Sequence, residues 1–219
     1  NEILNELSKK DIIKINLQVN KTNHKSIAKV MENSLRKFSS LLVKHKFDLM
    51  ILLGDRYETV SIALAALLSK IPLAHINGGE KTIGSNDDIF RHCITKMSNY
   101  HFVSCDKYFK RILQLGEPKK NIFNVGSLGV EAFKEKDLLS KKEIEDSLKI
   151  NFSSKNYLVC INSTTYGNEN MNFLLKNLFF DLNRIKDCTI IFTLPNSDLN
   201  SDNISYKIKN FCKNKKNVF

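Results

Sequence analysis

The 219-residue sequence has no long apolar run, no closely spaced cysteine pair and only eight glycines. No hydrophobic stretch approaches the roughly 18 residues of a membrane span, and NEILNELSKKD does not read as a signal peptide. These absences predict a soluble, cytoplasmic protein without a membrane partner. The five cysteines, Cys93, Cys105, Cys160, Cys188 and Cys212, are odd in number and scattered. A disulfide scaffold and a CxxC zinc or redox site are therefore excluded, and the cysteines are expected to be small buried hydrophobes in a reducing compartment. A 42% hydrophobic content rules out a disordered chain and supports a sizeable core.

The formal charge is +11. Between Leu49 and Tyr100 five basic residues (Arg56, Lys70, Lys81, Arg91, Lys96) balance five acidic ones (Asp55, Glu58, Glu80, Asp87, Asp88). The surplus is scattered lysine, such as Lys25, Lys29, Lys37, Lys207 and Lys209, with no interleaved aromatic residues to stack on bases. Nucleic acid is therefore not an expected partner.

Apolar periodicity predicts helices alternating with short strands, the signature of a parallel sheet covered by helices. Helices are expected over Thr22–Lys46, Tyr57–Lys70, Asp87–Asn99 and Asp106–Leu115. The matching strands are Asp48–Gly54, Pro72–Ile76, Tyr100–Ser104 and Asn121–Gly126, the first an apolar run suited to burial on both faces. Residues 132–156 are polar and charged and read as a helical linker between units at 1–131 and 157–219. In the second unit, strands Tyr157–Asn162 and Thr189–Leu194 alternate with helices Asn168–Ile185 and Asn203–Lys213, and another strand begins at Val218. The chain opens without methionine inside a running pattern and stops at a new strand, which predicts a piece of a longer protein lacking both ends.

Seven of the eight glycines lie between residues 54 and 129, and Gly54, Gly78, Gly79, Gly126 and Gly129 fall at the carboxyl ends of expected strands. At that edge of an open parallel sheet, glycine either lets backbone approach a phosphate or merely permits a tight turn. The same edge collects Asp55, Arg56, Glu58, His75, Asn77, Glu80, Asp87, Asp88, Arg91 and His92. Neighbouring carboxylates whose pKa values are pushed apart can divide acid and base roles, and arginine suits a diphosphate. Each also has a structural alternative: Asp55 or Asp87 as a helix N-cap, Glu80 as a loop charge, His75 as a core histidine, Arg91 and His92 as solvent-facing.

At LGDRYE (53–58), PLAHINGGEKTIG (72–84), DDIFRHCITKMS (87–98), KRILQLGE (110–117) and NIFNVGSLGVE (121–131), and more weakly NSDLNSD (196–202), the chain resembles the hydrolysing UDP-N-acetylglucosamine 2-epimerases, which open sialic and legionaminic acid synthesis. The resemblance implies an α/β GT-B architecture: a nearly complete Rossmann-like domain lacking its first strand, and the start of a second. It also implies a UDP-sugar substrate, elimination of UDP to a glycal followed by water addition, no cofactor, no metal, and a homo-oligomer at full length. Asp55, Asp87 and Glu80 are the implied catalytic groups; Arg56, Asn77, Arg91, His92 and Ser127 are the implied substrate-binding ones. Two positions depart from the pattern. Asn77 stands where a glutamate or histidine precedes GGE, and Asn162-Ser163 replace a histidine-proline pair; both remove titratable groups and pass proton transfer to Glu80, His75 or His92. The resemblance also implies that the chain lacks an upstream Gly/Arg loop and a downstream Gly-Asn-Ser-Ser stretch that holds the nucleotide. A nucleotide-sugar-binding pseudoenzyme and a GT-B glycosyltransferase are the alternative functions.

Overall fold

The computed structural model describes residues 12–17, 23–135, 138–162, 170–196 and 201–219. Ser163, the rest of TTYG, and residues 197–200 of the weaker motif lie outside them.

Asn23 caps a helix, its side chain accepting the Ser26 N–H, and this α1 runs His24–Lys44. There follow β1 Met50–Leu53, α2 Tyr57–Leu68, β2 Leu73–Ile76, α3 Asn86–Met97, β3 Tyr100–Val103, α4 Asp106–Gln114 and β4 Ile122–Asn124. The strands pair in parallel in the order β1-β2-β3-β4. All four carboxyl ends therefore share one edge, where ligands bind in open α/β sheets.

One sheet face is packed by helices because Leu52 meets Leu42 of α1, Ala63, Ala65 and Ala66 of α2, and Ile94 of α3. Alanine on α2 lets the helix lie close, since a short side chain keeps backbones near one another. Val103, Ile112 and Ile122 form a second cluster under α4. The expectation that β1 is buried on both faces is not met: Ile51 and Leu53 are 62% and 58% exposed. Side chains alternate across a strand, so only the Leu52 face meets these helices.

Two further helices, α5 Leu128–Glu135 and α6 Lys141–Leu148, fall around the polar stretch, the latter closed by a Ser140/Glu143 capping box. In the second sheet β5 Lys155–Cys160 pairs in parallel with β6 Cys188–Thr193, so β5 begins inside the stretch read as linker. Helix α7 spans Met171–Arg184 and α8 spans Ser201–Cys212. Val218 bridges Ile190 in parallel, bearing out the strand start expected there. Phe179 stacks on Phe211 with centroids 4.3 Å apart, beside buried Leu182, Cys188 and Ile190. Cys188 alone among the cysteines is buried; Cys105 and Cys212 are half-buried and Cys93 and Cys160 exposed, contrary to expectation.

Candidate active site

The strand-end edge is assembled from beneath by His75. Its ring is fully buried, with Nε2 2.8 Å from the Gly54 carbonyl and Nδ1 3.1 Å from Thr95 Oγ1. A carbonyl only accepts, so Nε2 carries the hydrogen and Nδ1 accepts from the Thr95 hydroxyl. Burial pushes this imidazole down to about 4, opposed by the Gly54 hydrogen bond and reinforced by His101 and His92. His75 is thus a neutral strut tying the end of β1 to α3, and the idea that it carries proton transfer is set aside, because both nitrogens are occupied away from solvent.

The turn after β2 explains Asn77, Gly78 and Gly79. Asn77 has φ +64°, a left-handed conformation that asparagine tolerates better than most residues, and its N–H donates to the Phe102 carbonyl at 3.0 Å. A side chain at Gly78 would lie 3.0 Å from His75 Nδ1, and one at Gly79 would lie 2.6 Å from the Tyr108 carbonyl oxygen. These two glycines therefore let the turn pack on α4 rather than leave space for a phosphate. Arg111 of α4, its guanidinium over the Tyr108 ring, donates through Nη1 to the Gly79 carbonyl. Gly54 and Gly126 are different: both have positive φ and nothing within 4 Å of an added Cβ. Unlike Gly78 and Gly79, they leave open space at this edge.

This turn delivers Glu80, whose Oε1 accepts from Ser104 Oγ of the loop after β3 at 3.2 Å. Neither Asp55 nor Asp87 is a helix N-cap; Arg56 and Ser85 hold those places, and Ser85 Oγ accepts the Asp87 N–H at 3.1 Å. Asp55 instead pairs through Oδ2 with Nη2 of Arg91, which is 4% exposed. Sequence spacing offered no sign of this pairing, since the partners are 36 residues apart. The same Nη2 donates to Thr82 Oγ1 at 3.0 Å, and the Thr82 N–H donates to Asp88 Oδ1 at 2.8 Å. Arg91 is therefore a buried partner of Asp55, not the solvent-facing helix residue that was one alternative.

Asp88 also stands 3.7 Å from Arg91 Nη1 and 3.8 Å from His92 Nε2. Burial lowers the His92 pKa, Asp88 opposes this, and Arg91, Arg111 and Lys81 add to the lowering. Burial likewise lowers that of Arg91, yet its guanidinium stays charged at any working pH. At the N-cap of α2, Arg56 is held by Glu58 (Nε to Oε1, 3.0 Å) and lies over the Tyr57 ring. Ser127, expected at this edge, stands at the end of β4 just before α5, and its carbonyl accepts the Glu131 N–H. In the second sheet, Asn162 Oδ1 accepts the Asn196 N–H at 3.0 Å, joining the ends of β5 and β6. Thr82, Thr95, Ser104 and Arg111 were not anticipated; none belongs to a residue pattern that marks chemistry. Among the described residues, no group of three His, Cys, Asp or Glu side chains could hold a metal ion, and no helix is long and apolar enough to cross a membrane.

A parallel-sheet unit with charged side chains gathered at its strand ends, followed by a second parallel α/β unit, fits the GT-B class of fold. The chain matches UDP-GlcNAc 2-epimerase structures from Neisseria meningitidis, bound to UDP-GlcNAc (TM-score 0.69, 21% identity, 95% of this chain and 56% of that one), and from Methanocaldococcus jannaschii, with UDP-GlcNAc and UDP (0.70, 19%, 95% and 58%). The family model described as UDP-N-acetylglucosamine 2-epimerase matches residues 2–218, and the chain belongs to that family. It is 40% identical over 187 residues to the GDP/UDP-N,N'-diacetylbacillosamine 2-epimerase (hydrolyzing) of Campylobacter jejuni, covering 85% of this chain and 49% of that protein. It is 39% identical over 206 residues to the polysialic acid biosynthesis protein P7 of Escherichia coli, covering 93% and 52%. The chain thus spans about half the length of these curated relatives.

Proposed function

We propose that the protein is a hydrolysing 2-epimerase that converts UDP-GlcNAc, or a UDP-2,4-diacetamido-trideoxy-hexose, to UDP and the free sugar inverted at C2. The observation carrying this reading is the linked Asp55–Arg91–Thr82–Asp88 cluster at the strand ends of a chain 40% identical to a hydrolysing 2-epimerase.

In the first step a carboxylate removes the C2 proton. The C–H electrons form the C1–C2 double bond while the C1–O bond breaks and its electron pair leaves on UDP. In the second, water adds its hydroxyl to C1 and a proton reaches C2 from the opposite face. Asp55, Asp87 and Glu80 supply the acid/base groups. Arg56, at the N-cap of α2 and partly exposed, offsets the charge of the leaving diphosphate. Asn77, His92 and Ser127 complete the substrate-binding set, while Arg91, expected in that set, is buried and acts through Asp55 instead. The domain reading of two Rossmann-like units joined through 132–156, the cytoplasmic setting, a place in sialic or legionaminic acid synthesis and self-association of the full-length protein belong to the same proposal.

The test incubates the full-length protein separately with each UDP-sugar and follows UDP release. Release with one of them is the expected result, and release with neither overturns the reading. Asn77 and Asn162 favour a second reading, a UDP-sugar-binding protein without turnover. Calorimetric binding of UDP-sugar in the absence of any UDP release would select it.

A further inference from the structure

We propose that Thr82 is a positioning residue of this acid/base cluster, locking the Arg91 guanidinium onto Asp55; the assignment rests on the reading of Asp55 as an acid/base group. Along Lys81–Gly84, Lys81, Ile83 and Gly84 are exposed, with Ile83 at 87%, whereas Thr82 alone is half-buried. It is held at two points. Its N–H donates to Asp88 Oδ1 on the first turn of α3, and its Oγ1 accepts from Arg91 Nη2 one turn further on.

Arg91 depends on that second contact. Its Nε and Nη1 are buried without a hydrogen-bond partner, Nη1 having only the Asp88 carboxylate at 3.7 Å, so the group's hydrogen bonds all run through Nη2, to two acceptors, Asp55 Oδ2 and Thr82 Oγ1. A guanidinium held to one carboxylate oxygen through one nitrogen can pivot about that contact. A second acceptor on the same nitrogen, carried by a β-branched side chain with restricted χ1, fixes the pivot. Arg111 lies close enough to repel the like-charged Arg91 guanidinium. With Oδ2 engaged by Arg91, Oδ1 is the Asp55 oxygen left for proton transfer, and its aim follows from the guanidinium's.

The experiment uses full-length protein carrying Thr82→Val, Thr82→Ala or Thr82→Ser. Valine removes the hydroxyl at nearly constant shape and alanine guards against a valine-specific folding defect. With UDP release as the assay, kcat for Thr82→Val and Thr82→Ala is expected to fall at least about tenfold with KM within about twofold, as misalignment of a proton-transfer group produces. Thr82→Ser, which keeps the acceptor, should recover to within about threefold of the parent. Unchanged kcat in both hydroxyl-free variants overturns the assignment, as does a loss confined to KM.

A second readout does not need turnover. In guanidinium NMR spectra, Arg91 should give resolved, slowly rotating Nη signals in the parent and in Thr82→Ser, and averaged ones in Thr82→Val and Thr82→Ala. Signals unaltered by loss of the hydroxyl also overturn it. A parent that releases no UDP overturns the functional reading instead, while the NMR comparison still decides whether Thr82 holds Arg91.

Discussion

Lowering the pH should destabilise the strand-end edge through His75. The folded protein binds a proton on this imidazole only near pH 4, whereas the unfolded chain binds it near 6.5. Because the folded pKa is depressed, the unfolded state holds more protons between these values, so stability is complete above pH 6.5 and falls as pH drops towards 4. The difference of about 2.5 pKa units, at about 1.36 kcal/mol each, sets a ceiling of about 3 kcal/mol, of which about 2.5 is lost by pH 4.5. No solvent discount applies to a ring with zero exposure. Urea unfolding from pH 8 to 4.5 measures this, with His75→Gln as control. Glutamine keeps a donor for Gly54 and an acceptor for Thr95 without titrating, and should remove about 2.5 kcal/mol of the pH dependence. His101, fully buried beside His75 in the β2–β3 register and also lowered by burial against the opposing pull of Glu117, accounts for pH dependence that remains. A control with the same pH dependence as the parent would refute the reasoning.

Gly79→Ala adds a Cβ 2.6 Å from a backbone oxygen at φ +75° and should cost roughly 2–4 kcal/mol of unfolding free energy, read by urea denaturation. Gly54→Ala, with positive φ but open space, should cost only about 1–2 kcal/mol, and equal losses at both sites would argue against the packing role of Gly79. Asn77→Gly should leave stability within about 0.5 kcal/mol, while Asn77→Glu should lower it by about 1 kcal/mol because glutamate suits φ +64° poorly. A stabilised Asn77→Glu variant in the same unfolding assay would contradict that.

The alternation of apolar runs with helical patterns was enough to read the parallel sheet, because each short strand ends in glycine or a polar residue before a periodic helix. Strand and helix ends were displaced by one to three residues where caps intervened, as at Ser85, which takes the N-cap place that sequence offered to Asp87. Burial was harder to read. Ile51 and Leu53 look like core in the sequence, yet their face of β1 is not the one that α1, α2 and α3 pack against. Glycine was ambiguous for a physical reason: Gly79 and Gly126 share positive φ, and only the neighbouring atoms show that one is filled by α4 and the other open. The carboxylates and arginines at the edge were legible as residue types. Their connections were not, since the Asp55–Arg91 pair and the Glu80–Ser104 bond close across 36 and 24 residues. Asn77 and Asn162, read as lost titratable groups, have local backbone roles that no motif displays.

In the proposed reaction the strand-end carboxylates take the C2 proton as UDP leaves, and C2 regains one that has exchanged with solvent as water adds. Full-length protein incubated in D2O with the UDP-sugar it turns over tests this directly, with the product's mass and UDP measured together and Asp55→Asn in parallel. The account predicts one UDP per free sugar, one deuterium at C2 of the inverted product, and a rate at least about a hundredfold lower in Asp55→Asn. Free sugar without deuterium, or an Asp55→Asn variant at full rate, would contradict it.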